Sequence, residues 1–226
     1  MHTSSRITAL GWTPVKGCTW LAASSLNITG HGIEQDRRWT PITHQLRAVK
    51  ATDVPELAGV RVLPEDLPAA SAGLVMPDEQ TVMYYDRPFT ATIHDSPMAR
   101  RLSDAAGEPL WLAHTTGPTG FIWSSPLSVL LLSELDEAGL PIDVARYRAN
   151  IVLDDLAAPL QLEPGAHVAL PGGVELEVER PLDRCRVIDH NPADGQRDQQ
   201  LLPRLRDGLL LGWGCRVPCP GTLSVT

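Results

Sequence analysis

Pro171-Gly172-Gly173-Val174-Glu175-Leu176-Glu177-Val178-Glu179 follows a Pro-Gly-Gly turn with strict alternation of apolar and acidic residues. Period-two alternation marks a strand with one buried and one wet face. With Ala166 to Leu170 on the other side of the turn, the stretch predicts a β-hairpin. Its second strand delivers the chain to Arg180-Pro181-Leu182-Asp183-Arg184-Cys185-Arg186-Val187-Ile188-Asp189-His190. Two guanidinium groups beside the Cys185 thiol favour the thiolate, the form that attacks electrophiles, carries sulfur or ligates a soft metal. Cys185 is therefore the candidate catalytic residue and metal ligand. The competing reading is a small buried residue on a strand, a common place for a free cysteine.

The same β character extends outward. The 226 residues include 18 glycines and 20 prolines and few aromatics, and helix-period patterns are short. Many short strands joined by turns are expected, giving a mainly β fold with short helices (α+β). A hydrophobic content of 43% supplies a core without disulfide staples. Four cysteines without a secretory signal or an apolar run long enough to span a bilayer point to free thiols in the cytoplasm, and to no membrane association. A net charge of -8 argues against a nucleic-acid partner. Any bound anion has to be met by local cations.

Taken in order, Arg6 to Thr13 reads as a first strand, leading to Pro14-Val15-Lys16-Gly17-Cys18. Ser24 to Thr29 is a second strand. Asp36-Arg37-Arg38-Trp39 then opens a strand over Thr40 to Thr43, and an Asp-Arg pair there can aim a guanidinium at a phosphate or carboxylate. A hairpin through His44-Gln45 onto Leu46 to Lys50 is expected, and a strand, loop and strand over Arg61 to Met76. Phe89 to Ile93 alternates, after which Asp95 or Ser96 caps a helix with Pro97 in its first turn, ending at Gly107. Pro109 to His114 is a strand. The Thr115 to Gly120 segment is the candidate boundary between an amino-terminal part, 1–115, and a second part, 116–226. Ser125 and Pro126 predict a helix running to Gly139, whose start, with Ser124 and Ser125, would suit an anion. Arg146-Tyr147-Arg148-Ala149-Asn150 enters a buried strand at Ile151. Gln199 to Arg206 reads as a short helix and Leu209 to Thr226 as broken strand, while His190 is expected to face away from Cys185 or into solvent.

Pro14-Val15-Lys16-Gly17-Cys18, Asp36-Arg37-Arg38-Trp39, Ser125-Pro126, Arg146-Tyr147-Arg148-Ala149-Asn150-Ile151-Val152, Asp183-Arg184-Cys185 and Pro220-Gly221-Thr222 occur in an order and spacing that resembles the MOSC (molybdenum cofactor sulfurase C-terminal) domain proteins. The branch most resembled holds the mitochondrial amidoxime reducing component and its bacterial relatives. The resemblance implies a MOSC-type β-barrel preceded by an amino-terminal β-barrel part. It also implies a molybdopterin-type molybdenum cofactor with Cys185 as the protein ligand to molybdenum; pyridoxal phosphate is not expected in this domain. Lys16, Arg37 and Arg148 would meet the cofactor phosphate with help from Ser124, Ser125 and Asn150, and Gly17 and Arg184 complete the implied cofactor site.

Three functions follow from these readings. The first is a molybdenum-dependent reductase of N-oxygenated small molecules such as hydroxylamines or amidoximes. The cysteines lack ferredoxin spacing and no dinucleotide fingerprint is present, so this enzyme would draw electrons from a separate flavin or iron-sulfur partner. The second is a sulfur carrier or sulfurtransferase with a persulfide on Cys185, which Cys18 could resolve. The third is a cofactor-binding module without turnover. A structural zinc site from all four cysteines is a weaker alternative, because only Cys215 and Cys219 have suitable spacing.

Overall fold

The structure is a computed structural model that describes residues 6–205 and 210–226. The chain runs through strands β1 (Arg6–Trp12), β2 (Leu21–Ala23), β3 (Ser25–Thr29), β4 (Gly32–Ile33) and β5 (Trp39–Ile42). A hairpin, β6 (Gln80–Tyr84) and β7 (Arg87–His94), leads to helix α1 (Pro97–Ala106) and β8 (Trp111–Thr115). Next come β9 (Leu127–Leu131), α2 (Leu132–Glu137), α3 (Val144–Tyr147) and β10 (Ile151–Asp154). The chain ends with β11 (His167–Ala169), β12 (Glu175–Asp183), β13 (Leu210–Cys219) and β14 (Gly221–Ser224).

These strands make three sheets, in the orders β11-β12-β13-β9-β10-β1-β2, β14-β3-β4 and β5-β8-β7-β6. The mainly β class with short helices therefore holds. Among the described residues none of the sheets closes into the expected barrel: the largest has free edges at β11 and β2. Strands from both ends of the chain share sheets, since β1 pairs with β10 and β14 pairs with β3.

The predicted helix from Pro126 to Gly139 is a strand followed by one short helix. Leu127, Val129 and Leu131 pack into one apolar cluster, while Leu130 packs with Leu132 into another on the opposite face. A strand covered on both faces reads as a continuous apolar run, which periodicity does not separate from a buried helix. Its neighbours decide the matter: β9 lies parallel to β10 and antiparallel to β13, so its backbone groups are paired on both sides. The anion-binding helix start at Ser124 and Ser125 is thereby withdrawn.

Other expectations shift less. Helix α1 is N-capped by Ser96, whose side chain accepts from the Ala99 N–H, and Gly107 ends it in the left-handed conformation. Arg61 to Met76 contains no strand, only a 3-10 turn at Pro64–Asp66 and one bridge from Leu74 to His94. The Leu46 to Lys50 hairpin arm reduces to single bridges at Arg47 and Ala48. A 3-10 turn, Leu202–Arg204, replaces the helix expected over Gln199 to Arg206. Arg206 and Leu209, the ends of two predicted elements, lie outside the described residues.

Asn150, just ahead of β10, ties the large sheet together. Its Oδ1 accepts from the Ser128 N–H at 3.1 Å and the Ser128 hydroxyl at 2.9 Å. Its Nδ2 donates to the Gly11 carbonyl and to Asp36, both at 3.2 Å. Both amide hydrogens are thus spent inside the protein. Removing a buried group with several partners leaves those partners unsatisfied, so Asn150→Ala should lose about 2–4 kcal/mol, read as a lower midpoint in urea unfolding. An unchanged midpoint would show that Asn150 does not hold the sheet.

Candidate functional site

Segments from across the chain build one cavity of about 360 Å³, and all nine candidate site residues line it: Lys16, Gly17, Arg37, Ser124, Ser125, Arg148, Asn150, Arg184 and Cys185. Topology brings together candidate residues up to 169 positions apart in sequence, the separation of Lys16 and Cys185.

The first segment leaves β1 and runs beside β5, with a bridge between Val15 and Trp39 and a hydrogen bond from the Lys16 N–H to the Trp39 carbonyl at 2.7 Å. The second is the Asp36-Arg37 turn. Asp36 is 1% exposed, accepts from the Thr13 N–H at 2.8 Å, and pairs with the Arg37 guanidinium. Gly120 passes against this turn, where a Cβ would stand 2.2 Å from the Asp36 carbonyl oxygen, so only glycine permits the approach. The Phe121 N–H then donates to the Arg37 carbonyl at 2.7 Å, which carries Trp123, Ser124 and Ser125 to the cavity.

The third segment closes α3. Arg148 ends that helix in the left-handed conformation, φ 57°, and Arg37 has φ 53°. Non-glycine residues held there cost on the order of 1–3 kcal/mol each, and such strain gathers at functional sites. Arg148 donates from Nη1 to the Gly17 carbonyl at 3.1 Å and from Nη2 to the Cys18 carbonyl, while Arg37 Nη2 reaches the Arg148 carbonyl at 3.4 Å. The two arginines therefore brace three segments as well as facing the cavity.

The fourth segment is the end of β12. Cys185 is exposed and precedes a 3-10 turn, Arg186–Asp189, so it is neither buried nor on a strand. Both flanking arginines are turned to backbone carbonyls. Arg184 donates from Nε to Leu211 at 2.7 Å and from Nη1 to Tyr147 at 2.8 Å, and Arg186 grips the Thr52 carbonyl. The charge facing Cys185 is instead a pooled one, since a thiolate there raises the pKa values of Lys16, Arg148 and Arg184 together.

Burial is the largest effect on those cations, and the neighbouring guanidinium of Arg37 adds to it in each case. Lys16 is pushed down to about 7, and Arg148 and Arg184 to about 10. Asp36 is a carboxylate that partly offsets Lys16 and Arg148. Two buried polar atoms remain without a partner among the described residues at the cavity wall, Ser125 Oγ and Arg184 Nη2. Such orphans are costly unless a ligand or water meets them.

Sequence reasoning did not place Lys50, Tyr84, Tyr85, Trp123 or Leu182 in the lining, and it gave Asp36 no site role beyond aiming Arg37. The remaining cysteines separate from the site chemistry. Cys18 is fully buried, and burial pushes its thiol up to about 12, so it is not poised to resolve a persulfide on Cys185. Cys215 is buried and likewise pushed up to about 12, and Cys219 is exposed. Among the described residues no three His, Cys, Asp or Glu side chains are placed to share a metal, which removes the four-cysteine zinc reading. His190 is buried, not solvent-facing, and its Nδ1 lies 2.9 Å from the Gly195 carbonyl oxygen.

Residues 123–226 match the family model of the MOSC domain. Among solved structures it is similar to the YuaD protein of Bacillus subtilis, at 16% identity over 98% of this chain and 91% of that one, with a TM-score of 0.48. No curated protein matches it. Among the described residues no helix is long and apolar enough to cross a membrane.

The Lys16 value sets a pH dependence with two opposite signs. Its folded pKa lies below the ordinary lysine value of 10.5, so charged Lys16 opposes folding below about 7 and that penalty is relieved as pH rises from about 7 towards 10.5. An anion held by Lys16 would need its charged form, so such binding should weaken over the same rise. Sulfate, which does not titrate in this range, should bind the protein more tightly at pH 6 than at pH 8.5, and Lys16→Met should flatten the difference. Equal affinity at both values in the parent protein would place the Lys16 charge outside the anion site.

Proposed function

We propose that the cavity holds a molybdopterin-type molybdenum cofactor with Cys185 as its protein ligand, and that the protein reduces N-oxygenated small molecules. One observation carries this reading: an exposed cysteine shares a cavity with seven lysine and arginine side chains, Lys16, Arg37, Arg148 and Arg184 among them, in an otherwise acidic chain, beside the unpartnered Ser125 Oγ and Arg184 Nη2. That donor set fits a ligand with a phosphate at one end and a soft metal at the other. Lys16, Arg37 and Arg148 would take the phosphate as charge-assisted donors, and Ser124 and Ser125 would add hydroxyls. Arg184 would offer its free Nη2, and the Cys185 thiolate is the soft donor a metal of this kind accepts. Asn150 contributes by fixing Asp36 and Gly11, because its own donors are committed.

When bound, the cofactor supplies oxygen-atom abstraction coupled to two-electron transfer. Reducing a hydroxylamine breaks its N–O bond, consumes two electrons and two protons, and yields the amine and water. The electrons would come from a separate flavin or iron-sulfur protein. Tyr84, Tyr147 and Leu127, all buried, form part of the cavity wall. The proposed setting is the cytoplasm, where the exposed thiols of Cys185 and Cys219 stay reduced.

With a reduced dye as artificial electron donor, the cofactor-loaded protein should convert benzamidoxime to benzamidine. Cys185→Ser should lose roughly 100-fold or more of that activity. It should keep its pterin, which the cations hold. Undiminished activity in the folded variant would remove Cys185 from the mechanism, and no activity in the loaded parent protein would sink the reductase reading.

A further inference from the structure

The mouth of the cavity carries a second chemistry that the anion site does not use. Trp123 and Tyr85 both line it and are 42% and 37% exposed. Their centroids lie 4.3 Å apart at 44°. Arg87 holds Trp123 from outside, donating from Nη1 to its carbonyl at 2.7 Å with the guanidinium 4.9 Å from the ring centroid. Lys50 Nζ stands 4.7 Å from the Tyr85 ring centroid and 3.2 Å from Asp53, and it too lines the cavity.

Tyr85 occupies the turn between β6 and β7 with φ 52°. Two-residue hairpin turns favour glycine, asparagine or aspartate at positive φ, and a tyrosine there is strained. Strain of this kind persists where a side chain is needed in place. Here it sets an aromatic ring at a cavity mouth, within electrostatic reach of Cys185.

We propose that Tyr85 and Trp123 form a substrate platform that selects flat aromatic N-oxygenated compounds, with Lys50 favouring those that carry an acidic substituent. This specificity rests on the reductase reading for its chemistry, but not for its binding. Aromatic stacking on an exposed ring is tolerant of ring identity and demands planarity, whereas an ion pair at the mouth discriminates by charge.

The test uses the cofactor-loaded protein and three amidoximes: 4-carboxybenzamidoxime, benzamidoxime and acetamidoxime. Two quantities are measured, kcat/KM with a reduced dye and equilibrium dialysis of the carboxylated compound. The parent protein should prefer the aromatic over the aliphatic amidoxime, and Trp123→Ala should reduce that ratio about 5- to 100-fold. Lys50→Met should reduce the preference for the carboxylated over the plain aromatic compound about 2- to 5-fold. The ratios cancel any general loss from imperfect folding. If acetamidoxime is turned over as well as the aromatics and Trp123→Ala leaves the ratio fixed, the platform is wrong and the reductase reading stands. If the carboxylated compound binds in a Trp123- and Lys50-dependent way but nothing is reduced, the platform stands and the reductase reading falls. Neither binding nor turnover overturns both.

Discussion

The buried carboxylate of Asp36 is the contact on which the site depends. It accepts from the Thr13 N–H at the end of β1, from the Asn150 amide ahead of β10, and from Arg37 in its own turn. These three partners belong to the three stretches that supply Lys16, Arg148 and Arg37 to the cavity. A charge buried this deeply is tolerable only when fully paired, and its loss would leave Arg37 uncompensated. The carboxylate also lowers the cost of holding several cations in one wall, since it acts against their mutual repulsion at Lys16 and Arg148. A preformed cationic cavity in a chain of net charge -8 is thus a local construction.

Much of this architecture was legible where local chemistry speaks with one voice. Ser96, Pro97 and Gly107 bound α1 because cap, first-turn proline and left-handed glycine all agree. Val174, Leu176 and Val178 face the core because nothing else explains their alternation with glutamates. The Leu127 to Leu131 run was misread because its environment, two strand neighbours and two covered faces, is a tertiary fact that the run itself does not record. The barrel expected from resemblance is not reproduced as a closed sheet among the described residues.

The site divides in the same way. Cys185, Lys16, Arg37 and Arg148 stood out as isolated cations and a thiol beside strand ends, and the fold gathers them. What the sequence could not disclose was how those donors are spent: Asn150 on Gly11 and Asp36, and Arg184 on two carbonyls with one nitrogen left over. Tyr85 and Trp123 escaped notice because a lone aromatic carries no periodic signal, and the positive φ of Tyr85 is visible only in the backbone.

An anion site joined to a soft thiol is the centre of the account, and its most direct test is compositional. Protein purified from a host that makes molybdopterin should be assayed for molybdenum, pterin and sulfane sulfur. The account predicts close to one molybdenum and one pterin per chain, with molybdenum lost and pterin retained in Cys185→Ser. Sulfane sulfur on Cys185 with neither molybdenum nor pterin would contradict it, and would make the cavity a sulfur-transfer site.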